Sequence, residues 1–417
     1  MEVIYVLMEK TLKIEIRPTR SQKEIIHKTL GVCRYLWNEF LFRNAEHWNE
    51  NKEFFDGNTF SKYVNNVLGM EKPWIKEVSS KARKDVIDRV DAALWRHFKS
   101  KGTNHEIGYP RIKRKNDPVN SYYFIKDGVR LDESDNSYLW IPILRWVKLK
   151  ERDYITEDLI PYVTSGRIVR EKDKYYVMLI LQGDIPRKHL LPKEKSNGIG
   201  IDLGTRSLCT IYPYDKTPFI QNPIYSDNYR ECERKIRRLQ QVISHKEEVN
   251  MRKYGYDNKE NIKKEDATNI YRTHNILKLR KRISKLKGIQ TRIMHDYIKR
   301  LCSYLVRTNP EYITIEDLDI EGMLQDASHQ LACHIQNSRF YYFRTFLQWK
   351  CREYGIELRI ADHWYASSKT CSRCGHKRKK LRLDERTYYC KKCGLKIDRD
   401  LNAAINLYNT KDYTLAG

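Results

Sequence analysis

The stretch GIGIDLG, Gly198–Gly204, sets one carboxylate inside an otherwise apolar strand. Side chains alternate faces along a strand, so Ile199, Ile201 and Leu203 share one side and Asp202 takes the other. Desolvating a carboxylate in such a run is costly unless something compensates it. EYITIEDLDI (311–320) has the same grammar: Ile313 and Ile315 share one parity and Glu316 the other. Two strands that each present one acid from an apolar setting suggest metal ligands, although a strand-end acid paired with an arginine would look the same. A third acid comes from DRDLNAAINL (398–407), where Leu401, Ala404, Ile405 and Tyr408 are expected on one helical face. Of Asp398 and Asp400, one is explained by capping the helix N-terminus. The other is left for chemistry. Magnesium prefers oxygen ligands, and a two-ion site for phosphodiester hydrolysis needs about three carboxylates. Asp202, Glu316 and Asp400 would supply them.

Cys371-x2-Cys374-x15-Cys390-x2-Cys393 has the spacing of a tetrahedral zinc site. Four thiolates make a closed, structural centre. Its flanks and loop carry Lys369, Arg373, Lys377, Arg378, Lys379, Lys380, Arg382 and Arg386, with Lys391 and Lys392 beside the last ligand pair. This is either a ribbon that packs on its neighbour or one that holds cations against a phosphate backbone. The second reading is preferred: a basic finger guiding a strand toward the carboxylates that follow it.

The whole chain shares this bias. Its 417 residues carry 79 Lys plus Arg against 54 Asp plus Glu, a formal charge of +25 spread along the sequence, which points to a nucleic-acid partner. No apolar run is long enough to span a membrane, and Glu2 interrupts the short apolar start, so neither a membrane span nor a signal peptide is expected. The remaining cysteines (Cys33, Cys209, Cys232, Cys302, Cys333, Cys351) are isolated and read as buried thiols in a reducing, cytoplasmic compartment. Aromatic residues, 12% of the chain, offer stacking surfaces for unpaired bases, with SYYF (121–124) and HWY (363–365) as candidates.

Three regions follow from periodicity. TLKIEIRPT (11–19) reads as a strand ended by Pro18. SQKE then reads as a capping box from Ser21 to Glu24, and the helix behind it carries Ile26, Leu30, Cys33, Trp37 and Phe40 on one face. Helices are expected to about residue 100, then a basic loop, GTNHEIGYPRIKRKNDP (102–118). Tyr/Val/Ile-rich strands fill about 120–185 and could pair with the first strand, making a β-barrel or sandwich with a helical insert. A polar linker (185–197) precedes a third region. It holds strands, a long basic helix pair at about 226–307 with a stripe of Leu279, Ile283, Leu286, Ile293 and Tyr297, and an apolar helix bearing Phe340, Phe343, Leu347, Cys351 and Tyr354.

GIGIDLGT, ITIEDL, TCSRCG…YYCKKCG and DRDLNAAINL, in this order and spacing, resemble the TnpB family of transposon-encoded RNA-guided DNA endonucleases, themselves similar to compact type V CRISPR effectors. The likeness extends to RPTRSQKEIIHKTLGVCRYLWNEF (17–40), LRKRISKLKGIQTRIMHDYIKRL (279–301) and QNSRFYYFRTFLQWKCREYGIEL (336–358). It implies a multidomain α+β chain. A β-barrel wedge (1–20 and 115–190) would hold a helical recognition insert (21–114). A RuvC-like nuclease of RNase H fold (198–364 and 398–417) would hold a zinc ribbon (365–397). It implies Asp202, Glu316 and Asp400 as catalytic, magnesium-binding acids, with Asp398 the weaker choice for the third. It implies a guide RNA, a double-stranded DNA target beside a short flanking motif, and a bacterial or archaeal cytoplasmic, nucleoid-associated setting, with monomer or dimer left open. A CRISPR effector of the same architecture, a DNA transposase and a non-cleaving DNA-binding repressor are the competing readings.

Overall fold

The computed structural model describes residues 7–51, 54–103, 105–115, 117, 119–171, 173–185, 194–214, 216–325, 327–362, 364–379, 381–382 and 385–416. The chain divides into two compact units, Met1–Lys188 and His189–Gly417. Most of the sequence-predicted linker (186–193) lies outside the described residues.

In the first unit, strand β1 (Leu7–Arg17) is followed by helices α1 (Arg20–Asn51), α2 (Gly57–Tyr63), α3 (Gly69–Glu71) and α4 (Ser80–Ser100). Strands β2 (Val119–Ile125), β3 (Arg130–Leu131), β4 (Tyr138–Ile141), β5 (Arg145–Leu149), β6 (Val163–Glu171) and β7 (Lys174–Asp184) follow. They form one antiparallel sheet in the order β2-β6-β7-β1-β5-β4-β3. The first strand thus lies in the middle of the sheet, paired with β7 along most of its length and with β5 at Ile16 and Arg17. Ile14 and Ile16 from β1, and Ile26, Leu30, Cys33 and Phe40 from α1, enter one core. Tyr122 and Phe124 enter it too. The alternation of β2 turns these two inward, so they are core residues and not the base-stacking platform expected at 121–124.

The N-terminal box of α1 sits two residues earlier than the sequence suggested. Thr19 N–H donates to Gln22 Oε1 (2.9 Å), and Gln22 N–H donates back to the Thr19 hydroxyl (3.3 Å). Pro18 fixes the chain just before Thr19, so the helix starts there and Ser21 is already inside it. Gln22 Nε2 also donates to the carbonyls of Leu144 and Trp146 (2.9 and 2.8 Å), stitching the helix start to the sheet.

In the second unit, a six-stranded sheet runs in the order β10-β9-β8-β11-β12-β15. Its members are β8 (Ile199–Leu203), β9 (Ser207–Tyr212), β10 (Phe219–Gln221), β11 (Tyr312–Glu316), β12 (Glu357–Ala361) and β15 (Tyr413–Leu415). The strands β8, β11 and β12 are mutually parallel, while β9, β10 and β15 run antiparallel to their neighbours. Helices α5 (Asp227–Lys253), α6 (Lys264–Tyr271), α7 (His274–Arg307), α8 (Ile320–Gln325), α9 (His329–Ser338) and α10 (Phe340–Tyr354) lie between strands in sequence, and α11 (Arg399–Asn409) near the end. The odd-numbered side chains of β8 and β11 join Met294, Ile298 and Leu301 of α7 and Phe340, Phe343 and Leu347 of α10 in the core. On α7 the fully buried residues are Ile276 and those from Met294 onward. The predicted stripe from Leu279 to Tyr297 is only half-buried, because that part of the helix is packed chiefly against the basic α5. Strands β13 (Thr387–Tyr389) and β14 (Lys396–Asp398) form a separate hairpin around the four cysteines.

Candidate active site and metal centre

The acids are positioned by strand parity. In the parallel ladder Ile315 pairs with Ile201, so the next residues, Asp202 and Glu316, follow side by side near the C-terminal ends of neighbouring strands. Gly200 and Thr314 precede them on the same face, and α11 covers that face. A Cβ on Gly200 would lie 2.2 Å from the Ala404 carbonyl oxygen and 2.4 Å from the Tyr408 nitrogen. Only glycine lets the helix backbone come this close to the strand. The helix therefore carries its N-terminus to the strand ends where Asp202 and Glu316 stand.

Of the two acids that open α11, Asp398 is the cap: its Oδ1 accepts from Asp400 N–H (2.9 Å) and Leu401 N–H (3.1 Å). Asp400 is left uncommitted to capping. Burial raises Asp202 well above the usual carboxylate range, and the neighbouring charges of Glu316 and Asp400 push it further. Burial and Asp398 likewise raise Asp400, while Arg386, Arg399 and Arg206 oppose the shift. Asp202 thus senses the charges of both Glu316 and Asp400, and the arginines near Asp400 do not outweigh its burial. The oxygens of the three acids do not all converge within 4.8 Å; among the described residues only the four cysteines do so. Glu316 also lines a cavity of about 270 Å³ shared with Leu203, Tyr341 and Arg344.

The cysteines form two like knuckles. Gly375 N–H donates to the Cys371 carbonyl and Gly394 N–H to that of Cys390, each at 2.9 Å, with φ of 71° and 74° at the two glycines. Only glycine adopts that left-handed turn at no cost. The knuckles bring Cys371 Sγ to 3.6 Å from Cys393 Sγ and Cys374 Sγ to 3.6 Å from Cys390 Sγ. Such a set of four thiols could hold a zinc ion: zinc–sulfur bonds of about 2.3 Å in a tetrahedron put sulfurs roughly 3.8 Å apart. Burial pushes the Cys390 thiol up, but N–H donors from Cys393 and Lys392 outweigh it and bring it down to about 6. Tyr388, fully buried beneath the knuckles, donates to the carbonyl of His376 or Lys369 (3.2 and 3.3 Å).

Two asparagines tie this ribbon to α11. Asn402 Nδ2 donates to the Thr370 carbonyl (2.7 Å) and its Oδ1 accepts from Ser372 N–H (3.0 Å). Asn406 Nδ2 reaches the carbonyls of Ser367 and Thr370, both at 2.7 Å. The buried face of α11 is accordingly Asn402, Ala403, Ala404, Asn406 and Leu407, while Leu401, Ile405 and Tyr408 are only half-buried. Counting apolar residues misplaced that face because its polar members find backbone partners. Two asparagines four residues apart in an otherwise apolar helix were the available signal.

Comparison with known proteins agrees with this layout. A model described as Cas12f1-like, TNB domain matches residues 340–407, one described as Probable transposase matches 186–327, and one described as Helix-turn-helix domain matches 8–53. A protein of Escherichia coli K12 named "Putative RNA-guided DNA endonuclease InsQ" is 24% identical over 95% of this chain and 91% of its own. A mimivirus "TnpB-like protein L79" is 27% identical over 54% of this chain and 39% of its own. The chain is similar to proteins of the TnpB family. A solved Cas12f1-sgRNA-target DNA complex contains a chain of the same fold, with TM-score 0.55 and 15% identity over 98% of this chain and all of that one. In this chain the segment matched as helix-turn-helix is β1 followed by the single long helix α1.

The cations of the ribbon divide by environment. Lys369, Arg373, Lys377, Lys379, Arg382 and Arg386 are exposed, and Arg386 Nη1 lies 3.9 Å from Asp400 Oδ2. Arg378 is half-buried, paired with Glu385 at 2.9 Å. Lys380 lies outside the described residues, as does His363 of the predicted aromatic cluster, whose Trp364 is 84% exposed. No helix among the described residues is long and apolar enough to cross a membrane.

Proposed function

We propose that this chain is an RNA-guided DNA endonuclease. It takes a guide RNA from its own locus, recognises double-stranded DNA next to a short flanking motif, and cleaves by magnesium-dependent phosphodiester hydrolysis. The carrying observation is the pair Asp202 and Glu316 at adjacent parallel strand ends with Asp400 at the head of the helix laid across them. A RuvC-like site of RNase H fold is supported by the antiparallel β10-β9-β8 meander continued by parallel β11 and β12. A wedge with a helical recognition insert is supported by the way four helices interrupt the first sheet after its first strand. The domain limits proposed are 1–20 with 115–190, 21–114, 198–364 with 398–417, and 365–397, in a cytoplasmic, nucleoid-associated protein.

The donor set suits magnesium: three carboxylates are hard oxygen ligands, and burial with neighbouring acids raises Asp202 and Asp400, a cost that a bound dication would offset. Asp202, Glu316 and Asp400 would hold it. When bound, magnesium activates a water and stabilises the leaving oxygen of the phosphodiester. Asp398 keeps the head of α11 in place, freeing Asp400. Zinc in the four-cysteine centre would fix the ribbon, whose exposed cations would hold a strand by its phosphates on the approach to the acids.

The test supplies guide RNA, matched duplex and magnesium to the wild type, Asp202→Ala and Glu316→Ala. Cleavage by the wild type, lost in both variants with RNA and DNA binding kept, is expected. Full activity in either variant removes that residue from the site. The Probable transposase match favours a second reading, strand transfer with the same acids. Strand-joined product from a mini-transposon substrate would select it, and uncut DNA would select a non-cleaving binder.

A further inference from the structure

In the first unit the basic loop before β2 is not a free tether. Trp37 Nε1 donates to the Arg111 carbonyl (3.0 Å), and Asn38 pairs with Lys113 through both backbone groups (2.9 and 2.8 Å). These bonds press the loop against α1 and aim Lys113 into a cavity of about 160 Å³. Arg34 of α1, Arg89 of α4, and Asn120 and Ser121 at the start of β2 line it as well. Three segments that are distant in sequence thus turn three cations onto one small space.

The nearby carboxylates offset only part of this charge. Asp85 is held by the fork of Arg167 through both its oxygens and stands 3.8 Å from Arg89 Nη1. Asp117, also on the wall, accepts the Arg114 N–H (2.8 Å). Among the described residues, neither Arg34 nor Lys113 has a carboxylate partner, and the Lys113 ammonium lies 3.6 Å over the Trp37 ring. Burial, with Arg89 next, pulls Lys113 down to about 8. Bringing like charges together in a half-buried cavity costs stability unless an anion joins them.

We infer that this cavity is a binding site for one phosphate of a nucleic-acid backbone. Guanidinium forks, a point-like ammonium and a hydroxyl are the donors that suit a tetrahedral phosphate, and a cavity of this size holds one such group. The inference rests on the nucleic-acid-binding part of the function proposed above and not on cleavage. Guide RNA and target DNA share the ligand chemistry, so the experiment separates them.

The full-length chain, without magnesium, is titrated with the RNA that co-purifies with it and with duplex DNA between about 50 and 200 mM salt. Lys113→Met keeps the stem that packs on Trp37 and removes the charge. It is expected to weaken binding about 10-fold and reduce the salt slope by about one phosphate contact. Loss confined to RNA assigns the site to the guide, and loss confined to DNA assigns it to the target. In parallel, inorganic sulfate is expected to raise the Tm of the wild type more than that of Lys113→Met. Unchanged affinities with an equal sulfate response overturn the inference. Arg34→Gln enters the cavity from a different element and carries the same test if Lys113→Met does not fold. A wild type that binds neither nucleic acid would sink the nuclease proposal, and the sulfate comparison would still decide the pocket.

Discussion

At the residue scale, Asp202 is expensive to keep in place. Burial and two neighbouring carboxylates favour its protonated form, so the folded state takes up a proton more readily than the unfolded chain. The contribution to stability is therefore fullest below the ordinary carboxylate range and is lost as pH rises through the raised value. At neutral pH without metal the residue works against folding. Asp202→Asn is expected to abolish cleavage and to raise the metal-free Tm at neutral pH by roughly 2–4 °C, the shift that about 1 kcal/mol gives a unit of this size. The gain should shrink in acid, and magnesium should no longer stabilise the variant. A Tm lowered equally at all pH values would mean that the carboxylate makes a favourable structural bond instead. The sequence made this residue conspicuous because an acid inside an apolar strand is costly to desolvate unless something compensates it. The separate duties of Asp398 and Asp400 were not legible, since capping depends on backbone angles that neither residue type dictates.

At the scale of elements, α11 links the two functional parts. Its small face lies on Gly200, and its asparagines hold the root of the ribbon. Gly200→Ala would force the helix off the strand, at about 1–3 kcal/mol for overpacking. Because Asp400 moves with the helix, cleavage should fall further than the lost stability accounts for, as measured on the fraction still folded. Cys390→Ser is expected to reduce bound zinc from about one per chain to none and to lower the melting temperature, because structural zinc contributes folding energy directly. A wild type free of zinc by elemental analysis would remove that centre. The cysteine spacing identified the ribbon from sequence alone, since zinc ligation is a local geometric demand. The buried face of α11 was misassigned for the opposite reason. Its partners, the carbonyls at 367 and 370, are more than thirty residues away, and hydropathy has no way to register them.

Across the whole molecule, a surplus of +25 predicts affinity dominated by phosphate contacts. If the protein neutralises 6–10 phosphates, binding should weaken by about 10³–10⁵ between 50 and 200 mM salt, with log K linear in log salt. A flat dependence by filter binding or anisotropy would argue that the charge serves solubility alone. The succession of strand, helices and strands in the first unit was legible because hydrophobic period changes from two to 3.6 and back. Its pairing was not. Periodicity identifies strands but gives no neighbours, and β1 lies between β7 and β5 only once the helices have looped out.

Sequence by itself determined the chemistry on offer: four thiols in metal spacing, three candidate acids, a strongly cationic composition and a resemblance to the TnpB family. These are properties of residue type and short-range order. Tertiary structure alone decided which acid caps and which is left over, why residue 200 has no side chain, and where Arg34, Arg89 and Lys113 meet. Such facts depend on contacts between segments far apart in the chain, where burial, charge and hydrogen bonding are fixed jointly by elements that no local window contains.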